Sequence, residues 1–284
     1  MCDPMGSMPK RGMNVNMNFF GKSDTGKMRT ANQDSYAIRP VSKNATLAVV
    51  CDGMGGAKSG NVASECAVET FCQSVLEYCA SKIGRDGSLK ITSDDACVIL
   101  DDAAKDANRE VYEKSQTSPD YQGMGTTLVA ALFVDDIAYV INIGDSRMYL
   151  ISDNTITQIT HDHSYVQHLI DSGSLSVEDA RNHPFRNRIT RAVGVSEDIE
   201  CDIFSVELES LDVCYLLLCS DGLCGVLLPE DIYALVSSDL DIDIVLDTES
   251  ELSDKTERLI NAANEAGGPD NITAVLVKYV KERA

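Results

Sequence analysis

Carboxylates stand beside Gly or Asn at several points where an apolar run of this chain begins or ends: Asn32-Gln33-Asp34, Asp52-Gly53-Met54-Gly55-Gly56, Gly144-Asp145-Ser146-Arg147, Asp221-Gly222 and Gly267-Gly268-Pro269-Asp270-Asn271. The adjoining runs Leu47 to Cys51, Ile137 to Ile143, Val213 to Cys219 and Ile272 to Tyr279 read as strands, whose ends can meet at one edge of a sheet. Acids gathered there are too crowded to stay ionised without cations, and hard divalent ions take all-oxygen ligand sets. Hydrolysing a phosphomonoester at neutral pH needs a nucleophile better than water and a counter-charge for the phosphoryl oxygens. Two divalent ions roughly 3.5 to 4 Å apart supply both. Asp52 is the candidate to bridge such a pair, because it ends a rigid apolar run and Gly53 lets the backbone approach closely enough to offer its carbonyl oxygen.

The elements that must position these acids follow from periodicity. Order is expected from Val15, with residues 1–14 a flexible, Met-rich segment, and strands at Val15 to Phe20 and Ser35 to Arg39. Apolar residues recur at helical spacing at Val68, Phe71, Cys72, Val75, Leu76 and Cys79, and again at Ala96, Ile99, Leu100, Ala103, Ala104, Ala107 and Val111. These predict an antiparallel helix pair, Ser59 to Ala80 and Ser93 to Lys114, joined by a turn with Gly84 and Gly87. Gly125 to Val134, Ile137 to Ile143 and Arg147 to Ile151 read as an antiparallel meander. An inserted flap, Thr160 to His183, carries short helices near Tyr165 to Asp171 and Ser176 to Arg181. Strands at Glu200 to Glu207 and Val213 to Cys219 lead to a helix opened by Pro229, a surface segment from Ser237 to Glu251 and a helix at Ser253 to Glu265. Strand runs grouped around two helical pairs suggest an α+β fold of two antiparallel sheets face to face with helical pairs outside, and spacing alone leaves the topology open.

At 284 residues the chain reads as one domain over residues 15–284, and a net charge of -21, from 45 acids against 24 bases, argues against a nucleic-acid partner. No apolar run is long enough to span a bilayer, and the expected setting is cytoplasmic. The ten Cys form no C-x-x-C pair and read as buried free thiols.

The ordered series Arg29-x-x-Asn32-Gln33-Asp34, Asp52-Gly-Met-Gly-Gly56, Gly125-Thr-Thr127, Gly144-Asp-Ser-Arg147, Thr160-x-Asp162-His163, Asn187-x-x-Thr190-Arg-Ala192, Ser220-Asp-Gly222 and Gly268-Pro-Asp-Asn-Ile272 resembles the metal-dependent serine/threonine protein phosphatases of type 2C. The likeness spans roughly Asn18 to Lys278, and the flap and Met54 are similar to the bacterial stand-alone branch. The resemblance implies a four-layer αββα sandwich, and hydrolysis of phosphoserine and phosphothreonine in proteins by a metal-bridged hydroxide, with no covalent phosphoenzyme. It implies Mn2+ or Mg2+ as cofactor, two core ions and a third labile one. Asp52 matches the family's bridging Asp with the Gly53 carbonyl, Asp221 and Asp270 resemble the other ligands of the second metal, and Asp34 acts directly or through water. Asp145 resembles a third-metal ligand shared with Asp221, and Asn271 a residue that holds Asp270. Arg29, five residues before Asp34, is at the family's phosphate-binding position, where a guanidinium fork grips two phosphate oxygens. The eukaryotic branch has a His in place of Met54, thought to protonate the leaving group. Here that role falls to a metal-bound water, another residue or nothing. Phosphorylated proteins, and a cognate Ser/Thr kinase acting on them, are the implied partners.

Other readings compete for the same residues. A pseudophosphatase that keeps the fold to bind phosphoproteins is the alternative function, and loss of a ligand acid would mark it. Asp52, Asp221 and Asp270 are all present. An Asp-Gly pair alone is a turn, and Arg29 alone is a surface base. Thr126 and Thr127 read as strand residues behind the site, Ser146 and Arg147 as support for Asp145, and His163 as a loop-fixing hydrogen bond beside Asp162. The four His have no H-E-x-x-H spacing for zinc, and the acidic run Asp239 to Asp243 lacks a calcium-loop pattern. Arg181, Arg186, Arg188 and Arg191 concentrate positive charge near the flap, either paired with acids or facing substrate.

Overall fold

The computed structural model describes residues 15–55, 59–152, 155–237 and 248–281. In chain order the elements are β1 (Val15–Asp24), β2 (Asp34–Ser42), β3 (Ala45–Met54), α1 (Gly60–Ala80), α2 (Ser93–Ser115), β4 (Gly125–Thr126), β5 (Leu128–Val134), β6 (Ile137–Ile143), β7 (Arg147–Ser152) and β8 (Thr155–Gln158). Then follow α3 (Tyr165–Asp171), α4 (Val177–Ala180), β9 (Asp202–Glu207), β10 (Val213–Cys219), α5 (Asp221–Cys224), α6 (Pro229–Ser237), α7 (Thr248–Glu265) and β11 (Ile272–Lys281). One five-stranded sheet runs β1-β11-β10-β7-β8 and one six-stranded sheet runs β2-β3-β5-β6-β9, all pairs antiparallel. This is the expected α+β sandwich.

Three apolar layers hold it together, and the central strands serve two at once. Leu47, Val49 and Cys51 of β3 face α1 and α2, while Ala48 and Val50 face the other sheet. Likewise Tyr215, Leu217 and Cys219 of β10 pack under α6 and α7, while Cys214, Leu216 and Leu218 face inward. Strands buried on both faces read as unbroken apolar runs, which is why they stand out so plainly in the sequence. The α2 start is fixed by a capping box in which Thr92 and Asp95 each accept the other's backbone N–H. β1 pairs with β11 along its full length, from Val15 opposite Lys281 to Asp24 opposite Ile272.

Several expectations need correction. The strand expected from Gly125 divides at Thr127, where the side-chain hydroxyl, rather than a carbonyl, accepts the Asp52 N–H at 2.8 Å. The flap does not close at His183: Ser164 bridges Ile189, and Tyr165 N–H donates to the Arg188 carbonyl at 2.8 Å. α7 begins at Thr248 instead of Ser253, with Glu249 and Glu251 suited to the positive end of a helix. Glu251 is also tied to Lys278 at 2.6 Å and to the Tyr215 hydroxyl. The expected flexible segment 1–14, Gly56 and the acidic run Asp239 to Asp243 lie outside the described residues. Among the described thiols, Cys51, Cys72, Cys79, Cys214, Cys219 and Cys224 are buried, but Cys66 and Cys201 are half-buried and Cys97 is exposed on the outer face of α2. β8 and α5 have too few residues to show a period.

Candidate active site

One pole of the sandwich collects the ends of strands from both sheets. β2 begins at Asp34, directly opposite Asp52 in β3. Asp221 opens α5 just beyond the end of β10, and Asp270 precedes β11. The sheets are sewn together here: the Ser220 and Thr273 hydroxyls each donate to Asp34 Oδ2 at 2.7 Å. In the sequence Ser220 stands in the motif series without a role and Thr273 stands outside it, although each lies within three residues of a candidate acid.

A recess of about 200 Å³ opens at this pole, and Arg29, Asp52, Gly53, Asp145, Asp221 and Asp270 are on its wall. Asp34 and Asn271 are not; they lie behind it. Asp52 is held from its backbone, its N–H donating to Thr127 Oγ1 at 2.8 Å and its carbonyl accepting from Thr126 Oγ1 at 2.8 Å. Thr127 Oγ1 also sits 2.7 Å from Ser146 Oγ, so one hydroxyl joins the Asp52 strand to the Asp145 turn. A Cβ on Gly53 would meet the Gly60 carbonyl oxygen at 2.1 Å, so only glycine lets these backbones approach.

Arg29 reaches the recess on the 25–33 loop, which Asn271 anchors: its side chain donates to the carbonyls of Thr25 and Ala31 and accepts the Gln33 N–H at 2.8 Å. The Asn271 side chain therefore holds the loop, and its backbone N–H is what bonds Asp270 Oδ1, at 2.9 Å. Arg29 Nη2 lies 2.7 Å from Asp270 Oδ2, with half of its side chain exposed. That hydrogen bond raises the Arg29 pKa.

The acids raise one another's pKa. Burial first, then Asp34 and Asp221, push the Asp52 carboxyl well above the usual range. Burial and Asp221 do the same to Asp145, and burial and Asp270 raise Asp221. Burial lifts Asp34 to about 7, against the pull of its two hydroxyl partners. Among the described residues, Asp34 Oδ1 and Asp221 Oδ1 are buried with no hydrogen-bond partner. Buried carboxylate oxygens without donors, in an all-oxygen set, fit hard divalent cations. Among the described residues no three acid, His or Cys side chains already converge on one point. The acids surround the recess instead, an arrangement suited to ions that keep several waters and take one or two carboxylates each.

The remaining candidates support this centre. Asp162 grips Arg147 through its Nε–Nη2 edge, at 2.6 to 3.0 Å, beside the Asp145 turn. No His is on the recess wall: His161 pairs with Asp171 at 2.9 Å, His183 packs with Tyr165 and Phe185, His168 is exposed and His163 is buried at the flap root. The basic cluster divides. Arg191 pairs with Asp202 at 2.8 Å, and Arg188 lies over the Tyr165 ring. Arg181 and Arg186 line a second recess of about 310 Å³ between the flap and the 224–229 turn, which shares Asp145, Asn187 and Asp221 with the first.

A family model described as Protein phosphatase 2C matches residues 26–277. The chain is similar to the serine/threonine phosphatase stp of Listeria welshimeri, with 36% identity over 90% of this chain and 94% of that protein. It superposes on the crystal structure of serine/threonine phosphatase Stp1 from Staphylococcus aureus with a TM-score of 0.79 and 33% identity, covering 99% of this chain and 100% of that one. A third likeness, TM-score 0.74 at 30% identity, covers 94% of this chain and 100% of the catalytic domain of the serine threonine protein phosphatase PstP, solved in complex with 2 manganese ions. No helix among the described residues is long and apolar enough to cross a membrane.

Proposed function

The chain belongs to the protein phosphatase 2C family and is a serine/threonine protein phosphatase, and from that premise we propose that the acidic recess hydrolyses phosphoserine and phosphothreonine in proteins without a covalent phosphoenzyme. The observation that carries the reading is the enclosure of Asp52, Asp145, Asp221 and Asp270 with one guanidinium, Arg29, at the mouth. The residues fit manganese or magnesium: Asp52, Asp221, Asp270 and the Gly53 carbonyl would hold two ions, with Asp34 behind them and Asp145 offering a weaker third position. Such ions supply an acidified water as nucleophile and positive charge for the phosphoryl oxygens.

The chain's own residues do the rest. Arg29 presents its exposed edge to two phosphate oxygens, and its bond to Asp270 sets the direction of the fork. Thr126 and Thr127 fix the backbone of Asp52, so the carboxylate is placed before substrate arrives. Among the described residues Thr127 is the one hydroxyl on the wall, and it is already engaged with Ser146 and the Asp52 N–H, which favours water over a side-chain hydroxyl as the attacking group. Phosphorylated proteins and the kinase that makes them are the partners on this reading, and thiols without a disulfide among the described residues favour a cytoplasmic setting.

The deciding experiment is hydrolysis of a small aryl phosphate and a phosphothreonine peptide, with manganese, with magnesium and with chelator. Turnover that needs the cation supports the proposal, and binding of the phosphopeptide without turnover in any cation supports the pseudophosphatase reading. Arg29→Ala is expected to raise KM for the peptide and lower kcat, with kcat/KM down roughly tenfold, about 1.4 kcal/mol. Steady-state kinetics in which neither constant moves twofold would leave Arg29 a surface base.

The flap makes a separate prediction. Gln167, Ile170, Arg181 and Arg186 line the second recess, whereas His168, Asp171 and Ser174 do not. Ile170→Ala and Arg186→Ala should therefore change kcat/KM for phosphoproteins several-fold and leave the aryl phosphate within about twofold, roughly 1 kcal/mol of transition-state binding. Equal changes on both substrates would assign the flap to support of the acids instead.

A further inference from the structure

Gly144, the residue before Asp145, gives both of its backbone polar groups to one residue of the flap root. Its N–H donates to His163 Nδ1 at 3.1 Å, and its carbonyl accepts the His163 N–H at 2.9 Å. The turn has φ +110 at Gly144, and a Cβ there would meet Thr127 Cγ2 at 2.7 Å, so the loop is walled by Thr127 on the side away from the ring. We propose that His163 is a positioning residue for Asp145, and that its neutral ring fixes the turn carrying that carboxylate to the root of the flap. The proposal rests on the reading of Asp145 as part of the reacting recess.

The tautomer follows from the partners. A backbone N–H can only donate, so Nδ1 carries no proton and Nε2 does. Nε2 faces Asp202 Oδ2 at 3.2 Å, and Asp202 is held in turn by Arg191 at 2.8 Å. The Arg191 Nη1, 3.0 Å from Nε2, adds a positive charge beside the ring. Burial and that charge lower the His163 pKa against the pull of Asp202, keeping Nδ1 an acceptor. The root itself is zipped shut, since Thr190 N–H donates to the His163 carbonyl at 2.7 Å. A ring seated between Asp202, Arg191 and Gly144 thus joins β9, both ends of the flap and the Asp145 turn.

The acceptor, and not the ring's bulk, is the feature under test. His163→Asn places an amide oxygen near the position of Nδ1, while His163→Phe keeps the ring and removes the acceptor. In His163→Phe, kcat for the aryl phosphate at saturating manganese should fall tenfold or more, with KM within twofold. Hydrogen exchange at the Gly144 amide should quicken at least tenfold. His163→Asn should stay within threefold on both measures. The double variant His163→Phe/Asp145→Asn should turn over no more slowly than Asp145→Asn, because both changes remove the same function. The proposal is overturned if His163→Phe keeps its turnover, if His163→Asn is as impaired as His163→Phe, or if the two losses multiply. Should His163→Phe not fold, His163→Asn decides: a protected Gly144 amide supports the assignment, and a rapidly exchanging one with turnover intact ends it. Exchange at Gly144 is read without substrate, so it stands apart from the activity reading.

Discussion

Asp52→Asn and Asp221→Asn are each expected to cut turnover of a small aryl phosphate by at least a hundredfold while leaving a folded protein. Cations worth several kcal/mol of transition-state stabilisation correspond to two or more powers of ten in rate. The two acids stand on the recess wall with pKa values raised by burial and by other acids, so on the proposed reading the removed charge serves the cations and not the core. Asn keeps the shape of Asp and relieves the crowding. In chelator at pH 8, each variant should therefore melt at or above the wild-type temperature. More than about a tenth of wild-type activity in both variants would sink the metal assignment.

The second large effect is on stability. Burial lifts the Asp34 carboxyl to about 7 when folded, from an ordinary value of 3.8. Between those two values the folded state binds more protons than the unfolded one, so stability is greatest on the acid side and falls as pH rises through 7. Asp52, Asp145 and Asp221 shift in the same direction, and His163, with its lowered pKa, opposes them weakly near neutrality. Carboxyls held below their usual range, such as Asp202, act only at lower pH and leave this window clear. A contribution on the order of 2–4 kcal/mol corresponds to a fall in melting temperature of roughly 5–10 °C between pH 5.5 and 8 in chelator. Manganese or magnesium in excess at pH 8 should restore it by binding the folded state. Thermal melts that are flat or rising across that range in chelator would contradict the crowding.

What the sequence made legible was the part written in strand ends. Asp52, Asp221 and Asp270 each abut an apolar run buried on both faces, and such runs survive in sequence as uninterrupted hydrophobic stretches. The long helices were equally plain, because α1 and α2 bury one face each. The roles of Ser220 and Thr273 were missed because a hydroxyl at a strand end carries no period, and its contact with Asp34 spans the two sheets, far apart in the chain. Asn271 was read as the support of Asp270, yet its amide serves the Arg29 loop, since a side chain's direction at a turn depends on backbone geometry that spacing does not encode. The flap's inner wall was not legible for the same reason: helices as short as α3 and α4 show no apolar stripe to mark Ile170 as lining the second recess.

The β1–β11 ladder also decides where anything attached to this enzyme would sit. Its Asp24–Ile272 end adjoins the acids, so its Val15–Lys281 end, nine residue steps or roughly 30 Å away, is at the opposite pole. Val15 and Lys281, the first residue of β1 and the last of β11, sit side by side at that far pole. A tether or fused domain joined directly at Val15 or Lys281 would therefore leave the reacting mouth facing outward, toward bulky phosphoproteins, and enzyme immobilised that way should process them as freely as the enzyme in solution.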